Sequence, residues 1–465
     1  RMQDQIQRGA ATLRASQTLR LVVVVVLVLV LLIPVAMIGG LVQERQERRA
    51  TAVAEVSSSW GNAQAITGPA LVVPYTHRWT ERTTGGQGEG QAVTRTAERT
   101  AVFLPERLEV RGRIESETLN RGIFSIPVYR LRATIEGEFA RPRFTELGEL
   151  GADVAAVSWD RARLAVGISD ARAIQEETAV TWNGGRVAFL PGTAGLEDLG
   201  GGIQAAVPVG EGEDDDDERF AFSFPLALNG SGSLQVAPFG QNTVVELESD
   251  FPSPSFQGTW LPTERTVSDD GFRARWSIPF LGRNYPQAWT AGTAGRDMVR
   301  AIEASRFGVE LVSGVDHYRM AERSVKYAAM FILLTFAAVW LVEVLAGVRV
   351  HPIQYLLLGA ALCVFYLLEL SLSEHLGFPV AYALASVAIV GMVASYSRVV
   401  LRRTGRAAVV GGGVALLYGY LYTLLMNEDY ALLIGSVGLF LILGAVMFAT
   451  RRVDWFAVGA ERAAG

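Results

Sequence analysis

Long apolar runs mark two parts of the chain as membrane-spanning. Residues 21–42 contain no charged side chain, and about 20 apolar residues in a row are enough for a helix to cross a hydrocarbon layer of ~30 Å. Five further runs follow late in the chain, at 326–347, 353–372, 378–397, 407–426 and 430–449. The pattern predicts six transmembrane helices, one near the N-terminus and five that form a C-terminal bundle.

The first apolar run is interpreted as a signal anchor that stays in place. A cleaved signal peptide has an apolar core of about 7–15 residues, with small residues directly after it. Here the charged segment "QERQERR" (43–49) separates the apolar run from the small residues at Ala52 and Ala54.

Arginine is concentrated in alternate short loops. The loops "SEHLGF" (373–378) and "NEDY" (427–430) contain neither lysine nor arginine. Because Lys and Arg accumulate on the cytoplasmic side of a membrane, we expect both termini in the cytoplasm and the long segment after the first span outside it. The arginines on which this topology depends are Arg8, Arg14, Arg20, Arg349, Arg398, Arg402, Arg403, Arg406, Arg451 and Arg452.

The middle of the chain has the pattern of strands. Short runs rich in Val, Phe, Thr and Ile alternate with turn residues, which is typical of an antiparallel sandwich. "FSIPVYRLRATIEGEF" (124–139) suggests two short strands, and "LALNGSGSLQV" (226–236) suggests a hairpin that turns at Asn229-Gly230. Helices are expected only in "QERRATAVAEVSSSWG" (46–61) and within "AGRDMVRAIEAS" (294–305).

These patterns predict an α+β membrane protein with five segments. They are a cytoplasmic N-terminus (1–20), the anchor (21–42), a β-rich, sandwich-like domain (43–322), the five-helix bundle (323–450) and a cytoplasmic tail (451–465). An acidic run, "GEGEDDDDER" (210–219), divides the β-rich domain into two possible subdomains near 209–218. Carboxylates suit calcium, but the spacing fits no calcium loop and like charges favour a solvated segment. The Gly-rich stretch near 85–90 is interpreted as a second surface loop.

Composition excludes several classes of function. The net charge of −5 gives no support for nucleic-acid binding, and the single cysteine, Cys363, cannot form a disulfide within the chain. The chain has four histidines and no H-E-x-x-H, G-x-S-x-G or Walker-type motif. We therefore expect no enzymatic activity, no metal and no cofactor.

Ionisable residues within the apolar runs are the candidates for function, since burying them in a membrane costs several kcal/mol unless they are paired. Glu343 and Glu369 lie near opposite ends of adjacent spans, roughly 20 Å apart along the membrane normal at ~1.5 Å per residue, so a shared site is not expected. The first cluster, expected at the outer membrane face, comprises Glu369, Ser373, Glu374, His375, Arg323 and Lys326. The second cluster, expected at the inner face, comprises Glu343, His351 and Gln354. Both clusters have two interpretations, anchoring of helix ends or a site for a ligand or chemistry.

Several longer stretches resemble the CreD family of bacterial inner-membrane proteins. They include "ERSVKYAAMFILLTF" (322–336), "HPIQYLLLGAALCVFYLLELSLSEHLGF" (351–378), "FPSPSFQGTWLP" (251–262) and "GFRARW" (271–276). The matching stretches occur in order along nearly the whole chain. The acidic run and the Gly-rich stretch depart from the family pattern.

The resemblance implies a multi-pass protein of the inner membrane, with a periplasmic domain, that acts in cell-envelope integrity and stress responses. It brings no cofactor or catalytic residues. We expect the β-rich domain to bind or sense an envelope protein or cell-wall-related partner while the bundle sits in the lipid bilayer. The alternative is a transporter or intramembrane enzyme that uses polar residues at the outer end of the bundle, chiefly Glu369 and His375.

Overall fold

The computed structural model describes residues 17–83, 91–148, 150, 153–196, 200–210, 218–292, 295–311, 317–346 and 350–451. The chain forms two compact units. Residues Thr51–Gly314 are called the β unit, and Arg1–Ala50 with Val315–Gly465 are called the helical unit. The acidic stretch 211–217 and the Gly-rich stretch 84–90 lie outside the described residues.

The β unit consists mainly of strands. Its described part also contains the ten-residue helix α2 (Gly295–Ala304), the C-terminal end of a longer helix up to Trp60, and short 3-10 turns. The strands are β1 (Gln64–Thr83), β2 (Gln91–Phe103), β3 (Arg107–Arg121), β4 (Phe124–Ala140), β5 (Val154–Val157), β6 (Arg163–Ile168), β7 (Ala179–Trp182), β8 (Gly185–Ala188), β9 (Leu190–Pro191), β10 (Gly202–Ala206), β11 (Arg219–Ser231), β12 (Ser233–Val236), β13 (Asn242–Ser249), β14 (Pro254–Gly258), β15 (Glu264–Ser268), β16 (Gly271–Pro279), β17 (Ala288–Thr290) and β18 (Phe307–Leu311).

Two sheets share one hydrophobic core. Sheet 1 has the order β14-β18-β12-β1-β6-β10-β9, with β2, β5 and β17 attached, and sheet 2 has the order β15-β16-β13-β3-β4-β11-β7-β8. Val73 and Val102 of sheet 1 belong to the same buried cluster as Ile135 and Trp276 of sheet 2. Along β16 buried and exposed residues alternate, as expected for a strand with one face in the core. The prediction of a β-rich, sandwich-like region is confirmed.

The predicted hairpin at Asn229-Gly230 is wrong. Both residues lie within β11, where they pair with Arg130 and Tyr129 of β4. The chain turns two residues later, at Gly232 with φ +72°, and β12 then joins the other sheet. Gly230 is required for close approach, because a Cβ there would lie 2.3 Å from the ring of Tyr129.

Other strand boundaries also differ from the sequence pattern. The stretch predicted as two short strands forms the single 17-residue strand β4, since its pairing with β3 continues through Pro127. Strands before and after residues 209–218 occur in both sheets. The two expected helical stretches are confirmed, one as α2 and the other as the end of a longer helix, α1 (Gln17–Trp60).

The helical unit contains the apolar part of α1 and six helices late in the chain. These are α3 (His317–Lys326), α4 (Ala328–Ala346), α5 (Pro352–Leu376), α6 (Phe378–Val400), α7 (Thr404–Met426) and α8 (Ala431–Thr450). Within the described residues, α1 and α4 to α8 are long and apolar enough to cross a membrane, which confirms six spans by length and composition.

Helix α1 packs with the C-terminal helices. Its Leu31 and Val35 belong to the same buried cluster as Phe336 and Phe365. Gly359 of α5 makes this contact possible, because a Cβ there would lie 2.1 Å from Cδ1 of Leu31. Small residues let transmembrane helices approach closely. The sequence pattern gave no sign that α1 shares a core with the C-terminal bundle.

Candidate functional site

Glu369 is the most buried ionisable residue of the first cluster. Its side chain projects from α5, and the residue is 1% exposed. Oε2 accepts a hydrogen bond of 2.7 Å from Oγ of Ser324, a fully buried residue of α3. The described residues provide no hydrogen-bond partner for Oε1 and no ion pair for the carboxyl group. A buried polar atom without a partner is unusual and calls for an explanation.

Aromatic side chains surround this carboxyl group. Tyr366, Tyr382 and Tyr418 all lie within electrostatic range of Glu369. The ring centroids of Phe365 and Tyr418 are 4.3 Å apart, and the Tyr382 hydroxyl donates to the Tyr418 carbonyl at 2.6 Å. The carboxyl group thus lies in a buried, aromatic-rich part of the bundle, where polar groups need hydrogen-bond partners, and Ser324 is the donor that the described residues provide.

Ser373 and Glu374 do not add to the Glu369 carboxyl group. The Ser373 hydroxyl donates to the carbonyl of Leu370 at 2.8 Å. Glu374 accepts a hydrogen bond of 2.9 Å from the Tyr318 hydroxyl and lies 3.6 Å from the Arg45 guanidinium of α1. Burial and the neighbouring Glu374 carboxylate raise the pKa of Tyr318. These contacts join α1, α3 and α5 at one end of the bundle.

The two cations of the first cluster have partners of their own. Arg323 donates to the carbonyls of Leu425 and Leu424 at 3.2 and 3.1 Å, at the C-terminal end of α7, where a cation complements the helix dipole. Lys326 lies 2.8 Å from Glu322, and this hydrogen bond lowers the pKa of Glu322. Among the described residues, therefore, neither cation compensates Glu369.

His375 is exposed, whereas Glu369 is buried on the same helix. The six members of the first cluster thus fall into three groups. Glu369 is buried beside Ser324, whereas Ser373, Glu374, Arg323 and Lys326 bind partners other than Glu369, and His375 is exposed. A site that uses Glu369 and His375 side by side is not present in this arrangement.

The second cluster is mainly a helix cap. Nδ1 of His351 accepts from the Ile353 amide at 3.3 Å, and Oε1 of Gln354 accepts from the His351 amide at 2.9 Å. Pro352 occupies the first position of α5, where its missing N–H leaves no donor unsatisfied. Glu343 is separate, buried, and accepts from the Tyr355 hydroxyl at 3.0 Å. The sequence "HPIQ" has the spacing of a capping box. This spacing indicates a helix cap at His351 and Gln354 rather than a cluster with Glu343.

Comparison with known proteins connects this helical bundle and its β unit to one family. The profile of the family described as "Inner membrane protein CreD" matches residues 16–456. The Escherichia coli (strain K12) protein "Inner membrane protein CreD" is 33% identical over 427 residues, which are 92% of this chain and 91% of that protein. The chain belongs to the CreD family. With the six apolar helices of its described part, it is a multi-pass inner-membrane protein of the CreD kind.

Three residues of this CreD-family protein complete the first cluster and were missed in the sequence. Ser324, Tyr318 and Arg45 supply the contacts to Glu369 and Glu374. Ser324 and Tyr318 come from α3, whose amphipathic pattern shows which residues are buried but not the helix they pack against. In the described part of the protein, no group of three or more His, Cys, Asp or Glu side chains could hold a metal ion.

Proposed function

We propose that this CreD-family protein supports the integrity of the bacterial cell envelope, and that its β unit lies in the periplasm and binds an envelope component. The observation that carries the proposal is the large two-sheet β unit between two membrane-spanning helices. The distribution of arginine over the short loops supports a location outside the cytoplasm. The family relationship supports an envelope role.

The β unit has the features of a stable binding module. Its core contains large, fully buried side chains from both sheets, including Trp276, Tyr75 and Phe139. The C-terminal end of α1 is held in this unit by the Ser231 hydroxyl, which donates to Ser57 Oγ at 2.8 Å. Helix α1 also contributes to the core of the helical unit. It is the element that would relay a binding event from one unit to the other.

The test is capture of a partner by crosslinking in intact cells. The chain contains one lysine, Lys326, so amine-reactive reagents cannot label the β unit and a photoreactive amino acid must be introduced there. We expect positions across the exposed surface of the β unit to recover the same envelope protein or cell-wall fragment repeatedly. Exposed positions on α8, such as Leu432, serve as controls. Failure of every β-unit position to recover a partner in functional cells contradicts the proposal.

A second candidate function is supported by the unpartnered Oε1 of Glu369. A buried carboxyl group without a cation is typical of a proton or ion site in transport proteins. Glu369→Gln should then abolish cellular function at normal protein level. Glu428→Gln, at an exposed ion pair with Arg323, is the matched control. Full function of the Glu369→Gln variant excludes this site.

A further inference from the structure

The exposed face of sheet 2 carries rows of alternating charge. One row crosses four neighbouring strands through the paired residues Arg111, Glu246, Arg275 and Glu264. Within it the Arg275 guanidinium lies 3.4 Å from the Glu246 carboxylate. Opposite charges directly across a pair of strands stabilise a sheet. Arg275 thus lies between two acids, and the row ends in the carboxylate of Glu264.

The row ends at an open edge. β15 is the terminal strand of sheet 2 and, among the described strands, pairs only with β16. All five of its residues are exposed, and it contains no proline. By contrast, the edge strand β14 of sheet 1 begins at Pro254, a residue that blunts edges because it has no N–H. β15 therefore presents unpaired backbone donors and acceptors that a further strand could satisfy.

Exposed apolar side chains lie in β15 and in the segments that flank β15 and β16. In the described part of the β unit, seven large hydrophobic side chains are exposed, and four of them belong to this region: Leu261 (63%), Val267 (49%), Phe280 (40%) and Leu281 (82%). The segment that carries Leu261 and the segment that carries Leu281 meet in space, since a Cβ on Gly282 would lie 3.5 Å from the ring of Trp260. Clustered exposed apolar residues mark interaction sites more often than scattered ones do.

Two shallow clefts lie on the charged face of sheet 2, where β15 meets β16 and β13. One of about 260 Å³ is lined by residues that include Glu264, Thr266 and Arg275. The other, of about 310 Å³, is lined by residues that include Arg113, Thr266 and Ser268. In strand addition, backbone hydrogen bonds provide affinity and pockets for alternate side chains provide specificity. The edge offers both.

We propose that the edge of β15 accepts an extended polypeptide segment of an envelope protein as a ninth strand of sheet 2. A basic residue of that segment lies opposite Glu264 and continues the charge row, and apolar residues contact Leu261 and Leu281. A polypeptide fits better than a lipid or a sugar, because only a strand matches the alternating N–H and C=O groups along β15. This proposal deepens the proposed function and rests on it.

The test uses the full-length protein in detergent and blocked synthetic peptides of alternating valine and lysine. A second peptide has glutamate in place of lysine, and a third is the lysine peptide with alternate backbone nitrogens methylated. By fluorescence anisotropy, we expect the lysine peptide to bind about two- to fivefold more tightly than the glutamate peptide, the range for one cross-strand ion pair. Glu264→Arg should reverse this preference, and backbone methylation should abolish binding.

Glu303→Arg makes the same charge change at an exposed position of α2 and should leave the preference of the protein unaltered. Strand addition at β15 is overturned if Glu303→Arg reverses the preference for the lysine peptide as much as Glu264→Arg does. It is also overturned if binding survives methylation of the peptide backbone. Failure of all three peptides to bind also overturns it. The proposed function fails separately, because it is judged by photocrosslinks in cells from every face of the β unit. Crosslinks from Arg186, on the opposite edge strand β8, but not from Leu281 would retain the proposed function and exclude this edge.

Discussion

Replacing Glu369 by methionine and Ser324 by alanine together should not destabilise the helical unit, because neither partner of their buried hydrogen bond is then left alone. Glu369 is 1% exposed, receives one hydrogen bond from Ser324 and leaves Oε1 without a partner among the described residues. The lost hydrogen bond is worth about 1 kcal/mol, whereas an unsatisfied buried polar atom costs about 1–3 kcal/mol. Methionine fills a similar volume without a polar atom. We therefore expect the free energy of unfolding to stay unchanged or to rise by up to about 2 kcal/mol.

Cys363 provides the assay, because it is the single cysteine and is buried in the same bundle. A fluorogenic maleimide reports the temperature at which this thiol becomes accessible in detergent. Leu370→Ala, a truncation of a buried residue one position along α5, is the control and should cost about 2–5 kcal/mol. If the double variant Glu369→Met/Ser324→Ala lowers stability as much as this control does, the carboxyl group has further stabilising partners and the reasoning is refuted.

Two further substitutions test the packing of each unit. Gly359→Val should lower the midpoint of thermal unfolding of the helical unit, because its Cβ would lie 2.1 Å from Leu31 and overpacking costs about 1–3 kcal/mol. The control is Gly412→Val, whose Cβ would meet nothing within 4 Å and which should leave this midpoint unaltered. In the β unit, the hydrogen bond from Arg172 lowers the pKa of Asp170. The ionised Asp170 carboxylate therefore stabilises the fold at pH values above about 3.9, the pKa of an aspartate in the unfolded chain. This stabilisation is lost as the pH falls through the lower pKa that Asp170 has in the folded protein. Asp170→Asn should accordingly reduce the free energy of unfolding, measured by urea titration, by about 1.5–3 kcal/mol at pH 7. The difference between the variant and the wild type should shrink only below about pH 4. A difference that stays constant down to pH 2 contradicts this.

The membrane-spanning helices were predictable because the signal is strong and local. A run such as 21–42 without any charge leaves a helix across the bilayer as the main possibility. What the sequence pattern missed is contact between distant segments. Nothing near Gly359 indicates that Leu31 packs against it, and nothing near Ser324 indicates that it donates to Glu369.

The strands were recognised as a class, but their boundaries depend on tertiary pairing. Asn229-Gly230 has the composition of a turn, yet the ring of Tyr129 in β4 occupies the space where a side chain at position 230 would lie. β4 continues through Pro127, where the sequence suggested a break between two strands. In both places a neighbouring strand determined the structure, and turn propensity gave the wrong prediction.

The proposed function depends most directly on the side of the membrane at which the β unit lies. In a Cys363→Ala background, Leu281→Cys places a thiol on the exposed surface of the β unit, and Arg403→Cys places one in the loop between α6 and α7. Cells with a permeabilised outer membrane are treated with a membrane-impermeant maleimide. We predict that Leu281→Cys is labelled at once and Arg403→Cys only after the inner membrane is opened. Labelling of Arg403→Cys but not of Leu281→Cys in intact inner membranes would contradict a periplasmic β unit.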